Sequence, residues 1–329
     1  MSGSILIVAE HAKGQLTDMT FEMLAAGRRL AEARGAPLWT ALLGSAVSAL
    51  AEPLSRAGGV LLVDRPELQM PFTIAAADVV RRIAELKMAD VVLVGGTNLS
   101  MGIGPRVAGF LNAPFVNFIT DVRPADPQPF LVSQLFGGKI MAETPLPAGR
   151  AVLCIYPGAF SADEGRSAAA PSGPGPVETP DVPVPPSPVE FLEYIEPEAG
   201  DVDITQQDVL VSVGRGIQSE DNLELAQELA DVLGGAVSAS RPVVDQGWLP
   251  LTRQVGKSGM SVKPRLYLAL GISGAPEHVE GMKGARLIVA VNTDPDAPIF
   301  NVAHYGICAD LFDVVPALTE AIRERRQAG

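Results

Sequence analysis

The residues of this chain best suited to chemistry lie in short, glycine-containing turns of its last third. Gly214-Arg215-Gly216 follows the apolar run Asp208–Val213 and precedes a helix-patterned stretch that opens at Ser219, a residue type suited to cap a helix. A strand, a glycine turn and a helix N-terminus make an anion site, because free backbone N–H groups and the helix dipole converge on one point. The dinucleotide fingerprint needs Gly or Ala at 219, where Ser stands, so a standard NAD site is not indicated. Arg215, an arginine inside a glycine turn, still favours phosphate. Gly256-Lys257-Ser258 ends like a phosphate loop, but Leu251 occupies the position where the full pattern has glycine. What remains is a polar loop bounded by Arg253 and Gln254, read as ligand-lining.

The sharpest turn follows the strand-like Leu266–Leu270. It reads Gly271-Ile272-Ser273-Gly274-Ala275, then Pro276-Glu277-His278. Small residues let a flat ligand approach the backbone, and proline marks a helix start, which places His278 in the first turn facing that ligand. A fourth turn, Asn292-Thr293-Asp294-Pro295, follows the run Leu287–Val291. Taken singly, a lone histidine and an Asn/Asp turn are equally well read as structural. Consecutive polar turns beyond strand ends are where open α/β sheets bind ligands.

Alternating elements must hold these turns. Strand-length apolar runs fall at 5–9, 38–43, 60–64 and 91–95, with helix-period stretches near 17–34, 45–57, 73–87 and 101–112. Phe21, Leu24, Ala25, Leu30 and Ala31 share one helical face, and Gly35 suits a C-cap. Further strands are expected at 115–120, 130–136 and 151–156, closing a first α/β domain over 1–160. Residues 161–204 form a Pro/Gly-rich linker and connector, with SGPGPVETPDVPVPPSP ending at Pro188. The second domain, 205–329, is expected to contain strands at 208–213, 236–239, 266–270 and 287–291, and helices at 219–233 and 314–326. Both domains therefore read as α/β with mainly parallel, doubly wound sheets.

Composition narrows the function. The 329 residues carry 25 basic and 38 acidic side chains, a net charge of −13, which argues against nucleic acid and anionic lipid as partners. Apolar residues make up 47% of the chain, enough for sizeable cores, yet no run approaches a membrane span, and the start shows no signal peptide. Two cysteines, Cys154 and Cys308, offer neither a disulfide framework nor a metal site. The expectation is a soluble, reduced, cytoplasmic protein. His11 carries no evident chemistry.

The turns, in this order, resemble the α subunit of electron transfer flavoprotein. The strings SASRPVVDQGWLP, RQVGKSG, LYLALGISGAPEHVEGMK and IVAVNTDPDAPIFNVAHYGICADLFDVVPALTE, spanning 238–320, carry the resemblance. Weaker agreement lies in Gly104-Pro105-Arg106-Val107-Ala108 and Phe136-Gly137-Gly138-Lys139. The resemblance implies a Rossmann-like, DHS-like second domain that holds one FAD, with a first domain acting as scaffold and as contact surface for a β subunit that binds AMP or a second FAD. It implies an electron shuttle between dehydrogenases, such as acyl-CoA dehydrogenases, and an acceptor such as a quinone oxidoreductase, rather than an enzyme with its own substrate. The family's FAD contacts fall on Arg215, Ser240, Arg241, Gln254, Val255, Gly256, Lys257, Ser258, Ser273, Gly274, Ala275, Pro276, Glu277 and His278. Asn292, Asp310 and Leu311 complete the set, toward the AMP half of the dinucleotide. Ser240 and Asp310 enter through the resemblance alone.

That resemblance suggests Arg241 beside the isoalloxazine, His278 bonded near its C2 carbonyl and Ser258 toward N5. A cation ~4 Å from a ring that gains negative charge is worth about 4 kcal/mol at a permittivity of ~20, roughly 170 mV per electron as a ceiling. Lys257 stands where Gln is usual, Ser258 where Thr is usual, Pro276-Glu277 where Ile-Gln is usual, and His304 where Asp is frequent. Lys257 adds a cation or points to solvent, and Glu277 opposes the cations if it faces inward. Three rival readings remain: a flavin enzyme with its own substrate, an adenine-nucleotide-binding module without flavin, and a flavin-based bifurcating member with a second FAD in the β subunit.

Overall fold

The first apolar run forms β1 (Ser4–Val8), buried at every residue, as a continuous branched composition requires in the middle of a parallel sheet. The computed structural model describes residues 3–70, 74–136, 138–167, 170, 173–187, 189, 191–192 and 202–327. The chain forms two units, residues 1–193 and 194–329.

In the first unit a small hairpin, β2 (His11–Ala12) and β3 (Gln15–Leu16), leads into α1 (Asp18–Arg34). Leu24, Ala25 and Leu30 of α1 are buried, and Gly35, at φ 60°, ends the helix by donating its N–H to the Ala31 and Glu32 carbonyls. Next come β4 (Leu38–Gly44), α2 (Ala51–Ser55), β5 (Gly59–Asp64), α3 (Ile74–Leu86), β6 (Ala89–Gly95) and α4 (Ile103–Leu111). They are followed by β7 (Phe115–Arg123), β8 (Phe130–Leu135), β9 (Ile140–Pro145), β10 (Ala151–Ile155), α5 (Ala162–Arg166) and β11 (Val177–Glu178). The nine strands order as β11-β5-β4-β1-β6-β10-β7-β8-β9, antiparallel only at β7–β8 and β8–β9.

Three expectations change. Residues 45–57 form only a 3₁₀ turn over Ser48–Leu50 and the single-turn α2. β9 has no counterpart in the sequence reading, because IMAETP at an exposed edge lacks the alternation of a half-buried strand. The connector over 161–204 is partly built into the first unit. Ser161 Oγ accepts the Glu164 N–H at 3.2 Å to start α5, and Val177 pairs with Val60 as an edge strand. Val182 is buried with Leu61, Val80 and Ile83. Lys87 bonds Glu178 at 2.7 Å while lying 3.6 Å from the Trp39 ring centre. Proline bars a helix here but not an edge strand, whose outer N–H groups need no partner in the sheet. Positions 168, 169, 171, 172, 188, 190 and 193–201 of that stretch, and Gly137, lie outside the described residues.

Where the strand order of this sheet reverses, between β1 and β6, the crevice is filled from within. Glu10 is fully buried, accepts the Thr97 hydroxyl at 2.8 Å and bonds Ser100, and burial raises its pKa. His11 is buried too, its Nε2 2.7 Å from the Leu43 carbonyl. Both cysteines are free thiols; burial pushes Cys154 up to about 11.

The second unit runs β12 (Val209–Val213), α6 (Leu223–Leu233), β13 (Ala236–Ala239), α7 (Arg241–Val244), β14 (Leu266–Leu270), α8 (Pro276–Met282), β15 (Ile288–Asn292), β16 (Tyr305–Cys308) and α9 (Leu311–Gln327). Its five strands order as β13-β12-β14-β15-β16, all parallel. One face packs under α6 and α9 through Val211, Val213, Leu229, Val291 and Val315. The other carries Leu210, Tyr267, Ala269 and Ile288 beneath α8. The doubly wound reading holds for both sheets. Parallel strands put every turn singled out above at one carboxyl edge. No helix among the described residues is long and apolar enough to cross a membrane.

Val182 carries a test of the built-in connector. Val182→Asp places a carboxylate in that apolar cluster, and the expected result is a loss of about 2–4 kcal/mol in denaturant unfolding of the first unit, with new protease cleavage near 177–184. Unchanged stability would show that the segment is not packed there.

Candidate functional site

The strand order of the second sheet reverses between β12 and β14, and there the two turns touch backbone to backbone. Gly214 donates its N–H to the Leu270 carbonyl at 2.8 Å, and Gly216 donates to that of Gly271 at 3.1 Å. A Cβ on Gly214 would run into the Gly271 carbonyl oxygen, and one on Gly216 would lie 2.7 Å from the Gly271 Cα. Gly271 itself has φ 61°, and a Cβ there would come 3.0 Å from Leu311 Cδ2. These glycines let the two turns close on each other as a glycine ledge at the position where open α/β sheets hold ligands. Gly274, at φ 87°, lets the same turn close on residues 298–299, where the Ile299 N–H reaches the Ser273 carbonyl at 3.0 Å.

One expectation fails at this turn. α6 does not open at Ser219, whose side chain makes no capping hydrogen bond; 3₁₀ turns over Arg215–Ile217 and Glu220–Asn222 intervene, with Gln218 at φ 69° between them. The α-helix proper starts at Leu223, directly after the second of these turns. Any anion there meets the arginine and turn amides.

Residues 254–258 lie between β13 and α8. The Val255 N–H bonds the Ala239 carbonyl at 2.8 Å, and the Lys257 N–H bonds that of Glu277 at 2.8 Å. Gln254 is buried and donates Nε2–H to Ser258 Oγ at 3.0 Å, which leaves the serine's own proton to give elsewhere. Gly256, at φ 141°, makes the sharp bend.

His278 departs most from expectation. It is only 6% exposed, with Nδ1 3.1 Å from the Val255 carbonyl and Nε2 2.9 Å from the Tyr267 hydroxyl. Burial lowers its pKa to about 4, against a raising effect of the Val255 contact. Both ring nitrogens have partners within the protein here, and the neutral, buried imidazole ties α8 to the 254–258 loop. His304, the residue that departs from the family pattern, accepts the Ile288 N–H on Nδ1 at 3.0 Å.

The remaining candidates sort by exposure. Arg215, Arg241, Lys257, Ser258, Ser273, Ala275, Pro276 and Glu277 are exposed along this edge, whereas Ser240, Gln254, Val255, Gly256, Gly274 and Leu311 support it from below. Arg241 is the first residue of α7 and lies 3.3 Å from Asp245, with 68% of its side chain exposed. Asn292 donates Nδ2–H to the Ile272 carbonyl at 2.9 Å, and Asp310 caps α9 by accepting the Phe312 N–H at 3.0 Å. The sequence reading did not mark Tyr267, Ser212 and Ser238, which are fully buried under the site. Their signal was a tyrosine and two serines at inward positions of otherwise apolar strands. Among the described residues no cluster of side chains could hold a metal ion.

A dinucleotide carrying two phosphates and a flat ring fits what is present: a glycine-built crevice at the strand-order reversal, three exposed cations and a hydroxyl with a proton to donate. The tips of five parallel strands span roughly 19 Å at ~4.8 Å per strand, long enough for an extended dinucleotide.

Comparison with known proteins shows the family. Residues 5–185 match the description "Electron transfer flavoprotein domain", and residues 203–283 match "Electron transfer flavoprotein FAD-binding domain". Among curated relatives, the electron transfer flavoprotein subunit alpha of Megasphaera elsdenii is 38% identical, covering 98% of this chain and 97% of the relative. Protein FixB of Clostridium saccharobutylicum is 36% identical over 97% of this chain and 96% of its own length. The LctC subunit of the lactate dehydrogenase (NAD(+),ferredoxin) of Acetobacterium woodii is 33% identical over 97% of this chain and 76% of the relative.

Gly214→Ala is a steric probe, because φ −105° suits alanine while its Cβ would collide with the Gly271 carbonyl and lie 2.8 Å from the Ile272 Cα. It is expected to weaken FAD uptake at least tenfold in a fluorescence titration; unaltered affinity would mean the ledge is not needed. A second expectation concerns acid. Folded His278 stays neutral to about 4, while the unfolded chain protonates it near 6.5. In that window the unfolded state binds the extra proton, so stability rises with pH and is lost as pH falls, by up to about 3 kcal/mol. Denaturant unfolding of the second unit at several pH values should show this slope, and His278→Gln should flatten it.

Proposed function

The chain belongs to the electron transfer flavoprotein α-subunit family, and from that premise we propose that its second unit lays FAD along the carboxyl edge of the five-stranded sheet. As a member, it is an FAD-carrying electron transfer protein. The glycine ledge between β12 and β14 is the observation that carries the placement, because it lies where the strand order reverses and has the exposed Arg215 in its first turn. Arg215 and the turn amides are assigned the pyrophosphate, Arg241, Lys257 and Ser258 the flavin ring, and Asn292 and Asp310 the adenosine end. When bound, FAD supplies the chemistry of accepting and releasing electrons. The chain's own residues bind it, orient it and set the charge around it.

A ring that gains electrons gains negative charge, and Arg241 is the residue placed to favour this. Its exposure and its Asp245 partner screen the effect, so its contribution is below about 1 kcal/mol, or about 40 mV per electron, rather than the unscreened ceiling. The protein is proposed to work as a heterodimer with a β subunit, taking electrons from dehydrogenases and passing them to an acceptor such as a quinone oxidoreductase. The first unit, its own crevice filled by Glu10, is assigned scaffold and partner contact. Nothing among the described residues favours the bifurcating alternative, whose second flavin would sit in the partner chain.

The deciding experiment is purification with the β subunit, followed by an absorbance spectrum and a flavin count. One FAD per heterodimer is expected; a colourless pair that refuses added FAD would overturn the reading. In the yellow complex Arg241→Ala should lower the flavin potential and Asp245→Asn should raise it. Potentials unmoved in both, with FAD retained, would remove Arg241 from the ring.

A further inference from the structure

We propose that Glu10 stands as an uncharged carboxylic acid at neutral pH, and that its proton bolts the end of β1 to the 96–102 turn, which alkaline loss of that proton releases. The inference concerns the first unit and goes beyond the placement of FAD in the second.

A count of donors calls for the proton. Thr97 Oγ1 accepts the Leu99 N–H at 3.2 Å, so its own proton goes to Glu10 Oε1, 2.8 Å away. Ser100 Oγ lies 2.8 Å from the Gly95 carbonyl and also bonds Glu10 Oε1. A carbonyl can only accept and a hydroxyl has one proton. Both contacts of Ser100 are therefore made in full only when it gives its proton to Gly95 and receives one from Glu10. A carboxylate has none to give. The chain then runs one way, from Thr97 to Glu10, to Ser100 and on to the Gly95 carbonyl.

The surroundings ask for the same form. Glu10 is fully buried, and its Oε2 has no hydrogen-bond partner. An unpaired oxygen of a buried carboxylate costs far more than that of an uncharged acid. The titratable groups on the segments that enclose it are His11 and Lys13 of the hairpin, Asp18 and Glu22 of α1 and Cys154 of β10. None of them holds a charge on Glu10: burial raises its pKa against the hydroxyls of Ser100, Thr97 and Thr17, and Cys154 is itself kept a thiol by burial.

Nor is the carboxyl free to swing away. Thr20 Oγ1 accepts the Glu10 N–H at 2.7 Å and donates to the Glu10 carbonyl at 2.6 Å, which fixes the backbone. A Cβ on Gly95 would run into Oε1, so the acid is pressed against the end of β6. It reaches the turn at Thr97 and Ser100, on either side of the exposed Asn98 and just ahead of α4. Once the proton is lost, the single proton of Ser100 is contested by Gly95 and a buried charge. The unfolded chain gives up this proton near 4.5, whereas the folded acid keeps it. Above that pH the folded state binds more protons, so stability falls as pH rises.

The test uses the heterodimer, with the glutamates of this chain labelled with carbon-13 at the side-chain carboxyl. Infrared spectra at pH 7 are expected to show one labelled carboxylic-acid stretch, which moves in deuterium oxide and is absent from Glu10→Gln. A wild type without a labelled acid stretch at pH 7 overturns the proposal by itself, even if the variant does not fold. Glu10→Gln keeps the shape and offers Ser100 an uncharged donor. Relative to it, the wild type should lose about tenfold in folding equilibrium constant per pH unit above pH 6.5, until the folded acid ionises. Denaturant unfolding of the first unit reads this slope. Beyond that ionisation, wild-type amides at 97–101 should exchange with solvent faster than those of the variant. A folded Glu10→Gln that parallels the wild type in stability and exchange at every pH overturns the proposal as well.

Discussion

The architecture of the second unit depends on one steric fact: two turns at neighbouring strand ends meet with no side chain between them. Gly214, Gly216 and Gly271 allow this approach, and the φ of 61° at Gly271 is a further demand that β-branched or bulky residues meet badly. The sheet order places β12 beside β14, and the right-handed crossovers send the chain to opposite sides of that pair. The crevice is thus a product of topology, but its openness is a product of composition. Leu311 seals it from one side by packing on Gly271, which also anchors the start of α9.

Charge then acts on a short scale against the background of the whole. A chain with a net charge of −13 repels anions at long range, yet beyond a Debye length of about 8–10 Å that background is screened. What a bound dinucleotide would meet is the local set of Arg215, Arg241 and Lys257, with Glu277 and Asp245 close by. The exposure of these groups matters as much as their sign. Arg241 sits in water beside an acid, so its influence is that of a surface ion pair. His278 adds no charge, because burial and two protein partners keep it neutral.

Much of this was legible in the sequence. Runs such as 5–9 and 91–95 named the buried strands, and Phe21-to-Ala31 spacing with Gly35 named α1, because periodicity and capping are local properties. The turns at 214–216, 254–258 and 271–278 were legible as glycine, proline and polar clusters, and all proved to share one edge. The misreadings have a common cause. Ser219 as a cap and 177–184 as free connector were both judged from residue type, whereas backbone conformation decides the first and distant partners the second. Gln218 at φ 69° diverts the chain before α6 starts, and Val60 and Lys87 recruit the connector.

The two sheets of this chain show what separates a crevice from a site. In both, the strand order reverses beside the first strand, at β1 and β6 in one and at β12 and β14 in the other. In the first, a Cβ on Gly95 would run into the Glu10 carboxyl, so the space that glycine opens is filled by an acid which is itself held by Thr97 and Ser100. A carboxyl there fills the space and offers phosphate no positive charge. In the second, the residue after β12 is Gly214 and the next is Arg215, so the place that buried Glu10 holds in the first unit carries an exposed positive charge. Fold alone therefore does not assign the ligand. Two residues past the first strand stands a buried glutamate in one unit and an exposed arginine in the other, and that difference separates the two crevices.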